Sequence, residues 1–238
     1  MKRIYHNINL AGRNSFGVQQ MASTLVEVEG ADDLRELFFE ERPTKWYVLG
    51  AGNNTLFTRD YDGVLITPVG RRIEILSDDG ERVVVRVEAG YDWDELVQWS
   101  VEQGLWGIEN LSAIPSSVGA APVQNIGAYG AEAKDAISVV EYFDTNKLEV
   151  VRLKNEECSF AYRESVFKHE LKGVAIILAV EFELHRTAKP NLGYGDVIKE
   201  VEHLSEQGQQ RLDRAIKILK LISVYEMAKE SGLLNNFL

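Results

Sequence analysis

Two stretches of this chain present backbone, rather than reactive side chains, where chemistry could occur. Gly50-Ala51-Gly52-Asn53-Asn54 follows one apolar run, Trp46-Tyr47-Val48-Leu49, and precedes another, Val64-Leu65-Ile66. Successive N–H groups in such a glycine-opened turn form a nest for an anion. Asn53 and Asn54 tolerate left-handed backbone angles. A plain β-turn is the alternative for this loop taken alone. The second stretch, ENLSAIPSSVGAAPVQNIGAYGAE, runs from Glu109 to Glu132 with no charge between its two glutamates. Gly and Ala let main-chain N–H groups approach a ligand with no side chain in the way. Gln124, Asn125 and Tyr129 add donors. That composition suits a large, flat, phosphate-bearing cofactor, and a tightly packed turn region without a ligand is the other reading.

Commoner alternatives fit less well. Pro115, Pro122, Gln124 and Asn125 would leave unpaired polar groups in lipid, so 109–132 is not a membrane helix. Its prolines and glycines also interrupt any 3.6-residue period. The turn at 50–54 lacks the third glycine of a dinucleotide fingerprint, Thr55 standing there, and no helix of useful length follows. Nor does it carry the Gly-Lys-Ser/Thr of a P-loop. His6, His169, His185, His203 and Cys158 are scattered without metal-ligand spacing, so no metal is expected. With one cysteine there is no internal disulfide, which points to a reducing, cytoplasmic setting. The net charge of −11 argues against a nucleic acid partner, and no apolar run is long enough to argue for a membrane.

The elements that must position these loops read as α+β rather than as a regular βαβ alternation. Residues 1–17 end in the turn signal Asn14-Ser15-Phe16-Gly17. Ser23–Val28 alternates as a strand. A helix from Ala31 or Asp32 runs through Leu34, Leu37 and Phe38 and stops at Pro43. Residues 71–90 form two strands about the turn at 77–80. Asp92 caps a helix that reaches Gln103, with Gly104 as its stop. Strands follow at 139–143, 148–153 and 174–184. An apolar face at Leu212, Ile216, Leu219 and Ile222 predicts a helix over 212–227, and an exposed face of that kind favours self-association or a partner.

Four stretches together resemble the UDP-N-acetylenolpyruvoylglucosamine reductases, also called UDP-N-acetylmuramate dehydrogenases (the MurB family). They are NSFGV at 14–18, VLGAGNNTLFTRDYDGVLI at 48–66, the stretch 109–132, and FAYRESVFK at 160–168. A fifth, LGYGDV at 192–197, is similar to the Tyr-Gly-Asp segment of the longer members. The likeness spans residues 10–221. It implies a two-subdomain FAD-binding clamp of the vanillyl-alcohol-oxidase-like (PCMH-type) architecture, over 1–68 and 69–187. The start of a third, substrate-binding domain would occupy 188–238. It further implies FAD as cofactor, NADPH as hydride donor and UDP-N-acetylglucosamine enolpyruvate as substrate, reduced to UDP-N-acetylmuramate for peptidoglycan. On that resemblance Gly50, Ala51, Gly52, Asn53 and Asn54 hold the pyrophosphate. Ile114, Pro115, Ser116, Ser117, Gly119, Ala120, Gln124, Asn125, Gly127, Ala128 and Tyr129 wrap the flavin and its ribityl chain. Arg163 resembles the active-site arginine that neutralises the substrate carboxylate, for which a fixed, permanently charged fork is suited. Tyr162 lies beside it, and Tyr194 resembles the tyrosine that closes over the sugar nucleotide. Lys168 and His169 share the motif and read equally well as solvated charges.

The chain departs from the family in two places. The family's Pro-Gly is Pro115-Ser116 here, which would strain Ser116 if that position needs positive φ. After the helix the family continues with Lys-Leu-Pro-Asp-Pro, whose first two residues Lys220-Leu221 match, then a Gly-Asn-Ala-Gly-Ser-Phe-Phe segment and a further domain that supplies an acid serine and a glutamate. Ile222-Ser223-Val224-Tyr225-Glu226-Met227 does not follow that pattern, and Ser223 and Ser231 lie outside the motif. The expectation is a C-terminally shortened member, with a partner-dependent FAD module lacking reductase activity as one alternative. A different oxidase on the same clamp is another, with no evident anchor for covalent flavin.

Overall fold

The computed structural model describes residues 2–195. The apolar helix expected at 212–227 and most of the third domain lie outside the described residues. The chain opens with β1 (Arg3–Asn9), a strand absent from the sequence reading. Most of its side chains are exposed and polar, so no period-2 apolar signal marks it. It pairs antiparallel with β2 (Met21–Val28), whose second half is fully buried. Next come α1 (Ala31–Glu36), β3 (Trp46–Val48) and β4 (Tyr61–Pro68). The expected helix through Phe38 is regular only to Glu36. Leu37–Glu41 widens into a π turn, and Arg42, left-handed at φ 46°, closes it one residue before Pro43.

The first sheet has the order β1-β2-β4-β3, with β2, β4 and β3 mutually parallel. Neighbouring parallel strands need a crossover of about a dozen residues, usually helical. Between β3 and β4 that crossover is the glycine loop itself, so the strand–loop–strand reading of 46–66 holds. Its feet are sunk in apolar side chains: Leu49 and Phe57 pack with Leu10, Ala22, Leu25 and Leu65.

The second sheet is antiparallel, order β10-β9-β11-β6-β5. Its strands are β5 (Ile73–Asp78), β6 (Arg82–Glu88), β9 (Ile137–Asp144), β10 (Glu149–Lys154) and β11 (Ala175–His185). Between β6 and β9 lie α2 (Trp93–Glu102) and a short hairpin, β7 (Gly127–Ala128) with β8 (Ala131–Glu132). Asp92 is the N-cap of α2, accepting a bond from the Glu95 N–H at 3.0 Å. Val83, Val85, Val87, Val140, Val180 and Phe182 cover Trp93, Leu96 and Val97 of α2 and the buried part of 105–133. A second core joins the two sheets, with Phe143 and Ile176 packed against Val26, Leu34, Leu37 and Ile66. Two ion pairs cross the second sheet: Arg86 meets Glu141 at 2.5 Å and Arg152 meets Glu181 at 2.6 Å. Among the described residues no helix is long and apolar enough to cross a membrane.

Candidate functional site

The loop 50–54 and the stretch 113–124 meet across the gap between the sheets. Asn53 donates through Nδ2 to the Pro115 carbonyl at 2.9 Å, and Asn54 through Nδ2 to Gln124 Oε1 at 3.3 Å. A Cβ on Gly50 would lie 3.1 Å from Ser117 Oγ and 3.9 Å from the Ala120 Cβ. The glycine loop is propped from its other side by the N-terminal segment. The Gly52 carbonyl accepts from the Ser15 N–H at 3.2 Å, and the Asn53 carbonyl from Ser15 Oγ at 3.3 Å. Gly52 has φ +73°, and a Cβ there would fall 2.1 Å from the Arg13 carbonyl oxygen, so the position admits no side chain. Neither Asn53 nor Asn54 is left-handed; Gly52 makes the turn. Asn14 shapes the prop by bonding the Leu10 carbonyl at 2.6 Å and the Val18 N–H at 3.1 Å.

Backbone donors are left over where the loops converge. Among the described residues, the N–H groups of Gly50, Ala51, Gly52, Asn53 and Asn54 find no acceptor, nor do those of Ile114, Ser116 and Ser117. Unpaired donors of this kind are normally satisfied by water or a ligand. No charged residue lies within 48–58 or 110–131. An uncharged cradle of oriented N–H dipoles suits a diphosphate, which backbone nests hold without cations. The residues present therefore fit the phosphate end of FAD.

The stretch is pinned from below by α2. Trp93 Nε1 donates to the Leu111 carbonyl at 2.8 Å. Asp94 Oδ1 accepts from Ser112 Oγ at 3.0 Å and from the Ala113 N–H at 2.8 Å. Ala113 is left-handed at φ 61°. Ser116 is not left-handed, so replacing the family's glycine there brings no such strain; its carbonyl accepts from the Trp93 N–H at 3.1 Å. Gly119 lies on Ala89, donating to its carbonyl at 2.9 Å, and a Cβ would meet the Ala89 Cβ at 2.6 Å. Its missing side chain thus has a packing explanation within the protein.

The second half of the site joins the first at Gln124–Asn125. Buried Asn125 donates to Glu132 Oε2 at 2.9 Å and to the Ala161 carbonyl at 3.0 Å, and accepts from the Lys134 N–H at 3.0 Å. Arg163 is exposed and left-handed at φ 56°, and its Nη2 reaches the Gly127 carbonyl at 3.1 Å. Tyr162 beside it is 80% exposed. Glu132 forms ion pairs with Lys134; the hydrogen bond from Lys134 outweighs desolvation and, with that from Asn125, holds its carboxyl below the usual range. Lys168 and His169 both engage Glu164, at 2.7 and 2.6 Å, and keep its carboxyl low in the same way. Tyr194 stands edge-on to Tyr129 with ring centroids 5.8 Å apart. Buried Asn110 ties the two segments together, donating to the carbonyls of Tyr129 at 3.0 Å and Asn191 at 2.8 Å.

Of the eight non-glycine residues with positive φ among the described residues, Ala113, Asn125, Tyr129 and Arg163 lie in this site. Such backbone is costly and clusters where function over-determines geometry. The supporting residues Arg13, Ser15, Trp93, Asp94, Asn110 and Asn191 carried no assigned role in the sequence. Their only signals were the NSFGV motif and a second aspartate, Asp94, in the first turn of α2, where it reads as ordinary dipole pairing. Among the described residues, no group of three His, Cys, Asp or Glu side chains could hold a metal ion. Cys158 is buried and donates to the Lys154 carbonyl at 3.4 Å.

Comparison with known proteins bears on what the cradle holds. The sequence profile of the FAD binding domain family matches residues 22–153, more than half of the chain. The chain belongs to the FAD binding domain family. The chain is 43% identical over 210 residues to the UDP-N-acetylenolpyruvoylglucosamine reductase of Neisseria gonorrhoeae, covering 86% of this chain and 60% of the relative. The enzyme of that name from Pseudomonas fluorescens is 43% identical over 207 residues, with the same coverage. The chain thus spans about 60% of the length of these curated relatives. The crystal structure of UDP-N-acetylenolpyruvylglucosamine reductase from Thermus caldophilus superposes with a TM-score of 0.66 at 26% identity, covering 91% of this chain and 70% of that one. A BBE-like protein of Physcomitrella patens superposes with a TM-score of 0.56 at 15% identity, covering 77% of this chain and 42% of that one, and shows the shared fold alone. The FAD binding domain therefore has the expected α+β clamp architecture, and FAD is its cofactor.

Proposed function

We propose that this chain holds FAD in the cleft between its two sheets and serves NADPH-driven reduction of UDP-N-acetylglucosamine enolpyruvate to UDP-N-acetylmuramate. The observation that carries the proposal is the convergence of two uncharged loops, 50–54 and 113–124, at which the N–H groups of 50–54 and of Ile114, Ser116 and Ser117 lack protein acceptors among the described residues. The likeness to curated reductases over most of the chain supports this choice of reaction.

Bound there, FAD supplies hydride transfer between the nicotinamide donor and the enolpyruvyl double bond. The chain's own residues bind and orient. The N–H groups of 50–54 and of Ile114, Ser116 and Ser117 hold the diphosphate. Arg163 pairs with the substrate carboxylate and removes the negative charge that would oppose hydride delivery to the adjacent double bond. Its anchor on the Gly127 carbonyl keeps the guanidinium beside the hairpin that borders the cleft. Tyr129 and Tyr194 form an aromatic wall against which the sugar nucleotide stacks.

The test is optical. The purified chain should show flavin absorbance, bleach with NADPH in the absence of air, and recover on addition of the enolpyruvate substrate. Arg163→Lys should keep the flavin and its bleaching but slow the recovery at least tenfold, because a point charge cannot replace the fork. Bleaching that never recovers would leave a flavin-holding module without reductase activity of its own. Absence of flavin even after reconstitution with FAD would overturn the assignment of both loops.

A further inference from the structure

We infer that Asn125 is a positioning residue whose side chain sets the turn carrying Tyr162 and Arg163, rather than a residue whose amide touches the cofactor. The inference rests on the role proposed above for Arg163. Asn125 is 1% exposed, and both N–H donors and the oxygen of its amide have partners inside the protein. Its two N–H donors go to acceptors on two different segments, Glu132 Oε2 and the Ala161 carbonyl, while its oxygen takes the Lys134 N–H. An asparagine has two N–H donors, so none is left to offer a ligand. The backbone at Asn125 is left-handed at φ 44°.

The segment it holds is a tight turn. Ala161 and Glu164 exchange both of their backbone hydrogen bonds, each 3.1 Å. Three bonds fasten this turn to 123–127. Ser165 Oγ donates to the Val123 carbonyl at 2.6 Å, Arg163 Nη2 reaches Gly127, and the Asn125 amide reaches Ala161. The first anchors the exit of the turn and the second is exposed, so Asn125 fixes its entrance. The charged groups facing Asn125 are Glu132, Lys134 and, through Glu132, Arg163. A neutral amide bridges the Glu132 carboxylate and the Ala161 carbonyl. An aspartate would instead set a carboxylate against both acceptors.

The experiment uses the whole chain and two variants. Asn125→Gly keeps the left-handed backbone but removes the amide; Asn125→Asp keeps the shape but removes the donors. Three quantities are read: FAD affinity by flavin fluorescence, hydrogen exchange of the peptide spanning 159–165 against one within β11, and affinity for UDP-N-acetylglucosamine enolpyruvate. The expected result is exchange at 159–165 at least tenfold faster with β11 unchanged, FAD affinity within threefold of the parent, and enolpyruvate binding at least tenfold weaker. FAD affinity lost tenfold with exchange at 159–165 unchanged would overturn the inference and make Asn125 a cofactor contact. If the parent chain binds FAD but not the enolpyruvate, the proposed reaction fails, while the exchange comparison still decides the role of Asn125. If the glycine variant does not fold, the aspartate variant decides it.

Discussion

Replacing Gly52 with alanine tests the glycine loop at its tightest point. Two separate costs arise. The left-handed backbone, φ +73°, disfavours any Cβ by about 1–2 kcal/mol. The new methyl would also stand 2.1 Å from the Arg13 carbonyl oxygen and 2.9 Å from the Asn14 Cα. Both are backbone atoms and cannot rotate aside, so either the loop or the segment 13–15 must move by about 1 Å. Overpacking of this kind costs about 1–3 kcal/mol. The combined destabilisation is therefore about 2–5 kcal/mol, and for a chain of this size the melting temperature should fall by about 4–20 °C. FAD affinity should fall at least tenfold, since the displaced N–H groups are those proposed to hold the diphosphate. Gly104→Ala is the control, because Gly104 is also left-handed (φ +67°) but a Cβ there meets nothing within 4 Å. It should show only the backbone cost and leave FAD affinity unchanged. Differential scanning calorimetry and flavin fluorescence on both variants decide the matter. Equal destabilisation, within about 0.5 kcal/mol, would refute the close packing of Arg13 against the loop.

Three further outcomes are expected. Asp94→Ala removes the acceptor of two hydrogen bonds that hold Ser112 and the left-handed Ala113, and should cost about 1–3 kcal/mol in chemical denaturation while weakening FAD binding several-fold. Burial pushes the Cys158 thiol up to about 12, so it should stay unreactive toward a disulfide reagent at pH 8 until the chain unfolds. Because the folded state then keeps a proton that the unfolded state gives up, stability should decline as pH rises above about 9, and a Cys158→Ala variant should show less of that decline.

The long strands, α2 with its Asp92 cap, and the strand–loop–strand at 46–66 were legible because apolar period and capping chemistry are local. The parallel order of the first sheet was not, since nothing in β4's own residues says that it lies between β2 and β3. β1 was missed because a mostly exposed edge strand needs no apolar alternation. Within the site, the loops were legible from composition, Gly52 and the uncharged run above all. The supports were not. Asp94 reads locally as a first-turn acid, and its bond to Ala113 exists only once α2 and the stretch have packed. Gly119 and Asn125 show the converse: residue types that suggest ligand contact are also those that let one backbone lie on another.

The strand order of the first sheet bears on how the chain acquires its structure during synthesis. β2 and β3 emerge first yet do not pair with each other; each waits for β4, which slots between them. Until residue 68 is available, the two parallel edges stand open, with Leu25, Val26 and Val28 uncovered by Leu65 and Ile66. The glycine loop cannot take its shape before that insertion, and its contacts with Pro115 and Gln124 close over 62 and 70 residues of chain. Loops of that length make folding slow and expose unpaired strand edges meanwhile. The cofactor cleft is thus among the last features to form, and refolding in the presence of FAD should capture the finished clamp without hastening the strand insertion that precedes it.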